Sequence, residues 1–306
     1  MQIYTMRVWT IVIAPTVYEI MSSCSKEEYK SENRPDKCKY QNANCTFDNT
    51  TYSCDIRRKG SSTWRDMGDK PSYKIKMDDP VQFGPNWNTT KVTLNNGVYQ
   101  EYPTAEVDAY NVFRELGVPT PEAERVSVTV NGQTHEYTMI ETISDDAFMN
   151  KHFGDTWILW EMEGNQLEYK EDSGEFGSGL LPSLTLESVN QTAMINYYVG
   201  ELRTDHWDGA CLRPYSTNHY IAYNGSVHTY IPSGLDRTFD CVQEVGKNAP
   251  YCAPMVECFD TPECKAEYDK LHHSPEICEN TITPSPWIIV GVGMATSCIL
   301  LIFYII

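Results

Sequence analysis

Side chains suited to a phosphate and metal site occur in two parts of the chain. Asp208 lies in a polar turn, Asn218 follows ten residues later, and Asp236 comes after a strand-like run. Carboxylate and amide oxygens are ligands that Mg²⁺ accepts, and an Asp can also orient a hydroxyl nucleophile. Lys74 and Lys76 follow a Gly-Ser-Ser turn, where a lysine can pair with phosphates. The set fits phosphoryl transfer from a nucleotide, although an Asp in a turn also has a purely structural explanation.

The two lysines are predicted to lie on one face of a β-strand. Tyr73, Ile75 and Met77 alternate with Lys74 and Lys76, which is the period of a half-buried strand. Because both lysines share a face, the alternation does not decide which of them would contact a phosphate.

The elements that must position these residues can be predicted from local patterns. Thr104 is the predicted N-cap of a helix that ends at Gly117, and Asn131-Gly132 is the predicted turn of a hairpin. The segment "TWILWEMEGN" is predicted to be a strand, "EGNQLEYKEDSGEFGSG" an acidic linker, and residues 184–202 a helix. This order predicts a two-lobed α+β arrangement rather than an alternating Rossmann-type fold.

Composition favours an exported protein and excludes a nucleic-acid binder. The net charge is −18, whereas a nucleic-acid-binding surface needs a basic stripe. Ten of the eleven cysteines lie outside the C-terminal apolar run, and this even number predicts a disulfide framework in an oxidising compartment. Five N-glycosylation sequons point the same way. They begin at Asn44, Asn49, Asn88, Asn190 and Asn224.

Both ends of the chain carry apolar segments that predict targeting. Residues 287–306, "WIIVGVGMATSCILLIFYII", contain no charge and are long enough to cross a bilayer. A polar spacer precedes this run and no basic tail follows it, so it resembles a GPI-anchor signal as much as a transmembrane span. Residues 1–23 are predicted to be a signal peptide.

Six segments, in order, resemble the CotH family of spore-coat-protein-H-like secreted kinases, which also occur as fungal cell-surface proteins. "IRRKGSSTW" and "DKPSYKIKMDD" resemble the family's glycine-serine turn and lysine strand, and "VFRELGVPTPEAERVSVTVNG" its helix and hairpin. "YTMIETI", "DHWDGACLRPYSTNHYIAYN" and "YIPSGLDRTFD" resemble its later segments. The likeness spans residues 55–240. It implies an α+β, atypical protein-kinase-like fold of two lobes that binds ATP and Mg²⁺ and phosphorylates Ser or Thr of proteins.

The resemblance also implies a role for each matching residue. Asp208 would be the catalytic base, and Asn218 and Asp236 would hold Mg²⁺. Either Lys74 or Lys76 would pair with the phosphates, with Lys76 slightly preferred. An acidic partner for that lysine or for a metal would be Glu141. The turn over the phosphates would comprise Arg57, Arg58, Gly60, Ser61 and Ser62.

One departure from the family pattern leaves two functions open. The family's "PWDLD" is "PSGLD" here, so Gly234 stands where the first of two acids is expected. If that first acid holds the metal, the chain is a catalytically inactive surface protein that binds a host or neighbouring protein. If the second acid holds the metal, Asp236 supplies it, and the chain is a kinase of secreted or surface proteins.

The predicted division of the chain follows from these segments. A Cys-rich part (24–54) would follow the signal peptide, and a kinase-like N-lobe (55–165) would precede a C-lobe with a disulfide-rich extension (166–278). The segment 287–306 would then tie the extracellular part to the cell surface through the membrane.

Overall fold

Regular structure covers most of the chain from residue 6 to residue 272. The computed structural model describes residues 6–163, 166–179, 182, 184–206, 208–211, 218–239 and 253–272. The strands are β1 (Arg7–Val12), β2 (Gln41–Phe47), β3 (Thr50–Lys59), β4 (Ser72–Gly84), β5 (Trp87–Asn95), β6 (Ala123–Val130), β7 (Gln133–Glu141), β8 (Ile158–Glu163), β9 (Gln166–Asp172), β10 (His219–Tyr223) and β11 (His228–Pro232). The helices are α1 (Pro15–Ser22), α2 (Lys26–Lys30), α3 (Ala105–Glu115), α4 (Asp146–Phe153), α5 (Gln191–Thr204), α6 (Ala253–Phe259) and α7 (Pro262–His272).

The first seven strands form a closed barrel in the order β1-β2-β3-β4-β5-β7-β6. Neighbouring strands are antiparallel except β1 and β6, which pair in parallel from Arg7 opposite Val126 to Ile11 opposite Val130. Alternate residues of each strand face the interior, as the period of a strand requires. The buried core includes Trp9, Ile11, Ile56, Ile75, Val92, Leu94, Val126, Val128, Tyr137 and Met139.

A second sheet carries the polar segments that contain Asp208, Asn218 and Asp236. Its strand order is β11-β10-β8-β9, and helices α3 and α5 pack beside it around a separate apolar core. The two helices approach each other closely at Gly200, where a Cβ would collide with the ring of Phe113. This contact fixes α3 relative to α5, and therefore relative to the segments that follow α5.

The predicted two-lobed, protein-kinase-like α+β fold is wrong, because the described chain is mostly β and its largest element is the closed barrel. Strand β1 comes from the segment predicted to be a signal peptide, and β2 comes from the Cys-rich segment. The expected boundary between lobes, at 165/166, falls between β8 and β9, which pair in one sheet. Local alternation identifies strands, but barrel closure depends on the distant pairing of β1 with β6, which no local pattern encodes.

Most local predictions are confirmed. The strand around Lys74, the helix after Thr104 and the hairpin at Asn131-Gly132 are β4, α3 and the β6–β7 turn. The acidic linker is a wrong prediction in its first half, which is strand β9. The second predicted helix begins at Gln191, capped by the side chain of Asn190, rather than at residue 184.

Disulfides crosslink the N-terminal part of the chain and the C-terminal helices. Cys24 is bonded to Cys38, Cys45 to Cys54, and Cys258 to Cys264. The predicted disulfide framework is therefore present, as in extracellular and secreted proteins. The apolar run 287–306 lies outside the described residues. Among the helices within the described ranges, none is long and apolar enough to cross a membrane.

Closure of the barrel by β1 predicts unequal effects at two adjacent residues. Ile11 is fully buried, whereas the side chain of Val12 is half exposed on the outer face. We expect Ile11→Ala to lower the free energy of unfolding by about 2–4 kcal/mol, and Val12→Ala by less than about 0.5 kcal/mol. Urea unfolding of the two variants measures both values. Equal effects would show that β1 is not part of the folded core.

Candidate functional site

Four basic side chains gather where β3 and β4 lie near β8 and β9, and we call Arg57, Lys59, Lys74 and Lys170 the cationic group. Arg57 and Lys74 are direct cross-strand partners on the outer face of the barrel, and Lys59 follows Arg57 on that face. Lys170 comes from β9 and lies near enough to repel the charge of Lys74. A cluster of like charges is unfavourable in isolation, so this arrangement is suited to an anionic ligand.

The two candidate lysines of β4 have different environments. Lys74 is half-buried, and burial together with Arg57 and Lys59 lowers the pKa of its ammonium group to about 7. Lys76 is exposed and lies opposite Asp55. Only Lys74 therefore belongs to the cationic group.

Glu161 on β8 is the counter-ion of the cationic group. Its carboxylate accepts a 2.6 Å contact from Lys170 Nζ and a 2.7 Å hydrogen bond from the hydroxyl of Tyr220, its cross-strand partner on β10. Burial acts to raise the pKa of Glu161, but Lys170 and Tyr220 outweigh it, so the pKa is lowered. Glu161 is thus a carboxylate at neutral pH and compensates part of the positive charge.

Three carboxyl groups form a second cluster beside the first, and we call Glu106, Asp208 and Asp236 the acidic group. Glu106 is fully buried in the first turn of α3, where Gln100 Nε2 donates to Oε2 at 3.0 Å. Burial raises the pKa of Glu106, and the neighbouring Asp236 raises it further. Burial also raises the pKa of Asp236, which Lys59 opposes and Asp208 reinforces. Such a cluster favours a cation or a shared proton.

Lys59 connects the cationic and acidic groups. Its Nζ donates to Asn95 Oδ1 at 2.8 Å, and Asn95 Nδ2 donates to Glu106 Oε1 at 2.6 Å. Lys59 also acts electrostatically on both Lys74 and Asp236. Positive and negative charge are thus held apart but adjacent, with one lysine common to both.

Asp208, Asn218 and Asp236, which the sequence singled out, are brought together by two loops. The backbone N–H of Asn218 donates to the carbonyl of Asp208 at 2.6 Å, and its side-chain oxygen accepts from Ser233 Oγ at 3.1 Å. Gly234 follows with a φ of +63°, and a Cβ there would overlap the amide group of Asn218. Asn218 therefore occupies the space that a side chain at position 234 would need.

The loop that carries Asp208 is anchored by the side chain of Glu201. This residue is fully buried on α5 and accepts hydrogen bonds from the backbone N–H groups of Ala210 and Cys211. A Cβ at Gly209 would overlap the Glu201 carboxylate, so only glycine permits this close approach. Glu201 thus fixes the position of this loop relative to α5.

The predicted phosphate turn lies at the end of β3, but Arg58 does not face the site. Gly60 has a φ of +120°, which favours glycine, and Ser61 and Ser62 follow it at the surface. Arg58 points to the other side of β3, where it is buried, donates to backbone carbonyls of Cys24 and Arg65 and stacks on Trp64. A structural role accounts for every described contact of Arg58.

Glu141 is separate from the lysines with which it was predicted to pair. It is buried at the end of β7 and accepts the backbone N–H of Glu122 at 3.1 Å. Burial raises the pKa of Glu141 to about 7, and its charged neighbours are Lys151, Glu122 and Asp145. The structure does not bring it to Lys74 or Lys76.

Sequence reasoning missed six residues of the site, although two of them left a signal. The six are Lys59, Asn95, Glu106, Glu161, Lys170 and Glu201. Glu106 shares a helix face with the buried residues Ala109, Tyr110 and Phe113, at helical spacing. Glu201 shares one with Tyr197 and Tyr198. A carboxylate on an apolar face is rarely left without a partner, so each marks a polar site within the core.

No known family model and no curated protein matches this chain. The chemistry of the site is therefore argued from its own residues. The cationic group is suited to phosphates, and the carboxylate and amide oxygens of Asp236 and Asn218 are suited to a hard divalent cation. Within the described residues no group of three or more His, Cys, Asp or Glu side chains is placed to hold a metal ion. Mg²⁺ does not need such a group, because it is commonly held by one or two carboxylates and substrate phosphates.

The contact between Gly234 and Asn218 predicts that position 234 accepts no side chain. We expect Gly234→Ala to lower the free energy of unfolding by about 1–3 kcal/mol, because it combines a left-handed φ with a steric overlap. Adding Asn218→Gly removes the overlap but not the backbone strain, so the double variant should recover part of the loss. Thermal and urea unfolding of the single and double variants measure this recovery. Full additivity of the two losses would contradict the proposed contact.

Proposed function

We propose that this chain is a Mg²⁺-dependent phosphotransferase that transfers the terminal phosphoryl group of ATP to a Ser or Thr hydroxyl of a secreted or surface protein. One observation carries the proposal: a cationic group and an acidic group lie side by side and share Lys59. A nucleotide triphosphate with its divalent cation presents the complementary arrangement, with negative phosphates beside a positive ion. Catalysis of phosphoryl transfer depends mainly on such positioning and electrostatic stabilisation.

In this proposal each described residue has a defined task. Lys74, Lys59 and Arg57 would bind phosphate oxygens, and Asn218 and Asp236 would hold Mg²⁺, which would neutralise charge on the phosphates. Asp208 orients the acceptor hydroxyl and takes its proton. The hydroxyl oxygen forms a bond to the terminal phosphorus, the bond from that phosphorus to the bridging oxygen breaks, and ADP leaves with the electron pair.

The resemblance to the CotH family supports the same chemistry, and it also supports the setting. The disulfides already indicate an extracellular or secreted protein. We further propose that residues 287–306 attach the protein to a membrane, either as a span or as a signal exchanged for a GPI lipid. The substrates would then be proteins of the same surface or its surroundings.

Gly234 favours a second candidate function, that of a catalytically inactive surface protein that binds a host or neighbouring protein. The position carries an acid in the family pattern, and here the amide group of Asn218 fills its space. If catalysis needs that acid, the site retains its charges without the activity. Such a protein would still bind an anion at the cationic group but would transfer no phosphate.

The different environments of Lys74 and Lys76 provide a matched pair of variants. We expect Lys74→Met to lower kcat/KM for ATP by roughly 100-fold, because a cation that contacts the transferred group is removed. Lys76→Met should change it by no more than about twofold, because an exposed charge outside the site is screened by solvent and salt. The assay follows label from γ-phosphate-labelled ATP into Ser and Thr of a peptide library and of the protein itself.

The controls separate the two candidate functions. Wild-type protein that binds ATP but labels no Ser or Thr would support the inactive binding protein. Equal losses in the two lysine variants would contradict the assignment of the phosphate site to Lys74. Asp208→Asn should abolish transfer while leaving ATP affinity within about threefold, because an uncharged isostere keeps the loop contacts.

A further inference from the structure

Arg57 is held by residues from a separate segment, the loop closed by the Cys24–Cys38 disulfide, which we call the 24–38 loop. The Nη1 of Arg57 donates to the hydroxyl of Tyr29 at 3.1 Å, and the guanidinium lies 5.7 Å from the centre of the Tyr29 ring. Tyr40, just beyond the loop, lies on the guanidinium as well, with its ring centre at 5.1 Å. The orientation of Arg57 is therefore fixed by residues outside the barrel.

The 24–38 loop is built to hold Tyr29 in place. Ser25 and Glu28 form a reciprocal capping box that starts the short helix α2. Lys37 then ties the two arms together, with its Nζ 2.7 Å from Glu28 and 3.0 Å from the carbonyl of Ser23. These contacts hold α2 in place within the loop, and Tyr29 on α2 reaches β3 through Arg57.

The same tyrosine also contacts the turn that follows β3. The rings of Tyr29 and Trp64 are 5.0 Å apart, and Trp64 in turn carries the guanidinium of Arg58. The backbone carbonyl of Cys24 accepts a hydrogen bond from Arg58. The 24–38 loop thus grips β3 on both faces, at Arg57 and at Arg58, immediately before Gly60.

We propose that the 24–38 loop is a positioning device for the cationic group, in which Tyr29 orients the guanidinium of Arg57 towards an anionic ligand beside Lys74. The inference rests on the proposed phosphate-binding function of that group. Lys74 and Arg57 are direct cross-strand partners, so a rotation of Arg57 away from the strand face would remove one of its cations. Tyr29 itself contacts no ligand and acts only through Arg57.

The test is the affinity for inorganic pyrophosphate and for ATP with Mg²⁺, measured by titration calorimetry. Tyr29→Phe removes the hydroxyl and keeps the ring, and we expect it to weaken pyrophosphate binding about fivefold, because Arg57 loses one hydrogen bond but keeps its contact with the ring. Arg57→Gln should weaken it about tenfold. The double variant should match Arg57→Gln alone, because Tyr29 has no further route to the ligand. In the transfer assay Tyr29→Phe should raise KM for ATP and leave kcat within about twofold.

Control variants separate this inference from its premise. Tyr52→Phe makes the same chemical change at a tyrosine on β3, away from the 24–38 loop, and should leave pyrophosphate affinity unchanged. Lys74→Met tests the phosphate site itself. If Lys74→Met has no effect on pyrophosphate binding, the proposed function fails; if it weakens binding but Tyr29→Phe does not, only the role of the loop is overturned. Additive losses in the Tyr29→Phe, Arg57→Gln double variant would also overturn it.

A second variant opens the loop directly. Replacing both Cys24 and Cys38 by Ser removes the disulfide and leaves the barrel strands unchanged in sequence. We expect the folded variant to lose pyrophosphate affinity to the same extent as Tyr29→Phe, about fivefold. If it folds and binds pyrophosphate as the wild type does, the loop does not position Arg57. If it does not fold, the Tyr29→Phe comparison decides alone.

Discussion

The position of one ammonium group, that of Lys59, determines how this molecule can hold so much charge away from water. Buried or half-buried ions are costly unless each has a partner. Lys59 lies at the end of β3, donates to Asn95 and through it reaches Glu106, while it also opposes the rise that burial causes in the pKa of Asp236. Without it the cationic and acidic groups would be two separate excesses of charge. With it they form one site whose two halves have opposite sign.

Both sheets are needed to build that site. The barrel supplies the cations of β3 and β4, and the second sheet supplies Glu161, Lys170 and Asp236 from the strands and loops that face it. Helix α3 contributes Glu106, and its close packing on α5 at Gly200 ties that residue to the loops that follow α5. The site thus draws its charged residues from both sheets and from α3.

Local sequence patterns predicted the parts of this structure whose cause is local. Alternation located β4, capping and periodicity located α3, and Asn131-Gly132 located a hairpin, because each depends on neighbouring residues. The barrel could not be predicted in this way. Its closing pair joins β1 to β6 across more than a hundred residues, and the apolar pattern of β1 equally resembles a targeting segment.

The residues of the candidate site likewise divide into those that the sequence could predict and those that it could not. Asp208, Asn218 and Asp236 could be selected from the sequence because polar residues in short loops are conspicuous, and the structure brings them together. The choice between Lys74 and Lys76 could not be made, since the strand period gives both the same face. The second sheet distinguishes them, because Glu161 and Lys170 lie near the half-buried Lys74, whereas Lys76 is exposed. Arg58 illustrates the converse, because its position next to Arg57 in sequence puts it on the opposite face of β3.

The central claim is that the two groups bind phosphates and a divalent cation as a single unit. The most direct measurement is the melting temperature of the intact folded chain in four conditions: without additions, with Mg²⁺, with ATP, and with both. Saturation at about a hundred times the dissociation constant stabilises the fold by about 2.7 kcal/mol, which corresponds to a rise of a few degrees. The account predicts a rise with both together that exceeds the sum of the separate effects and is lost in Asp236→Asn. No rise in wild-type protein, or a rise that persists unchanged in Asp236→Asn, would contradict it.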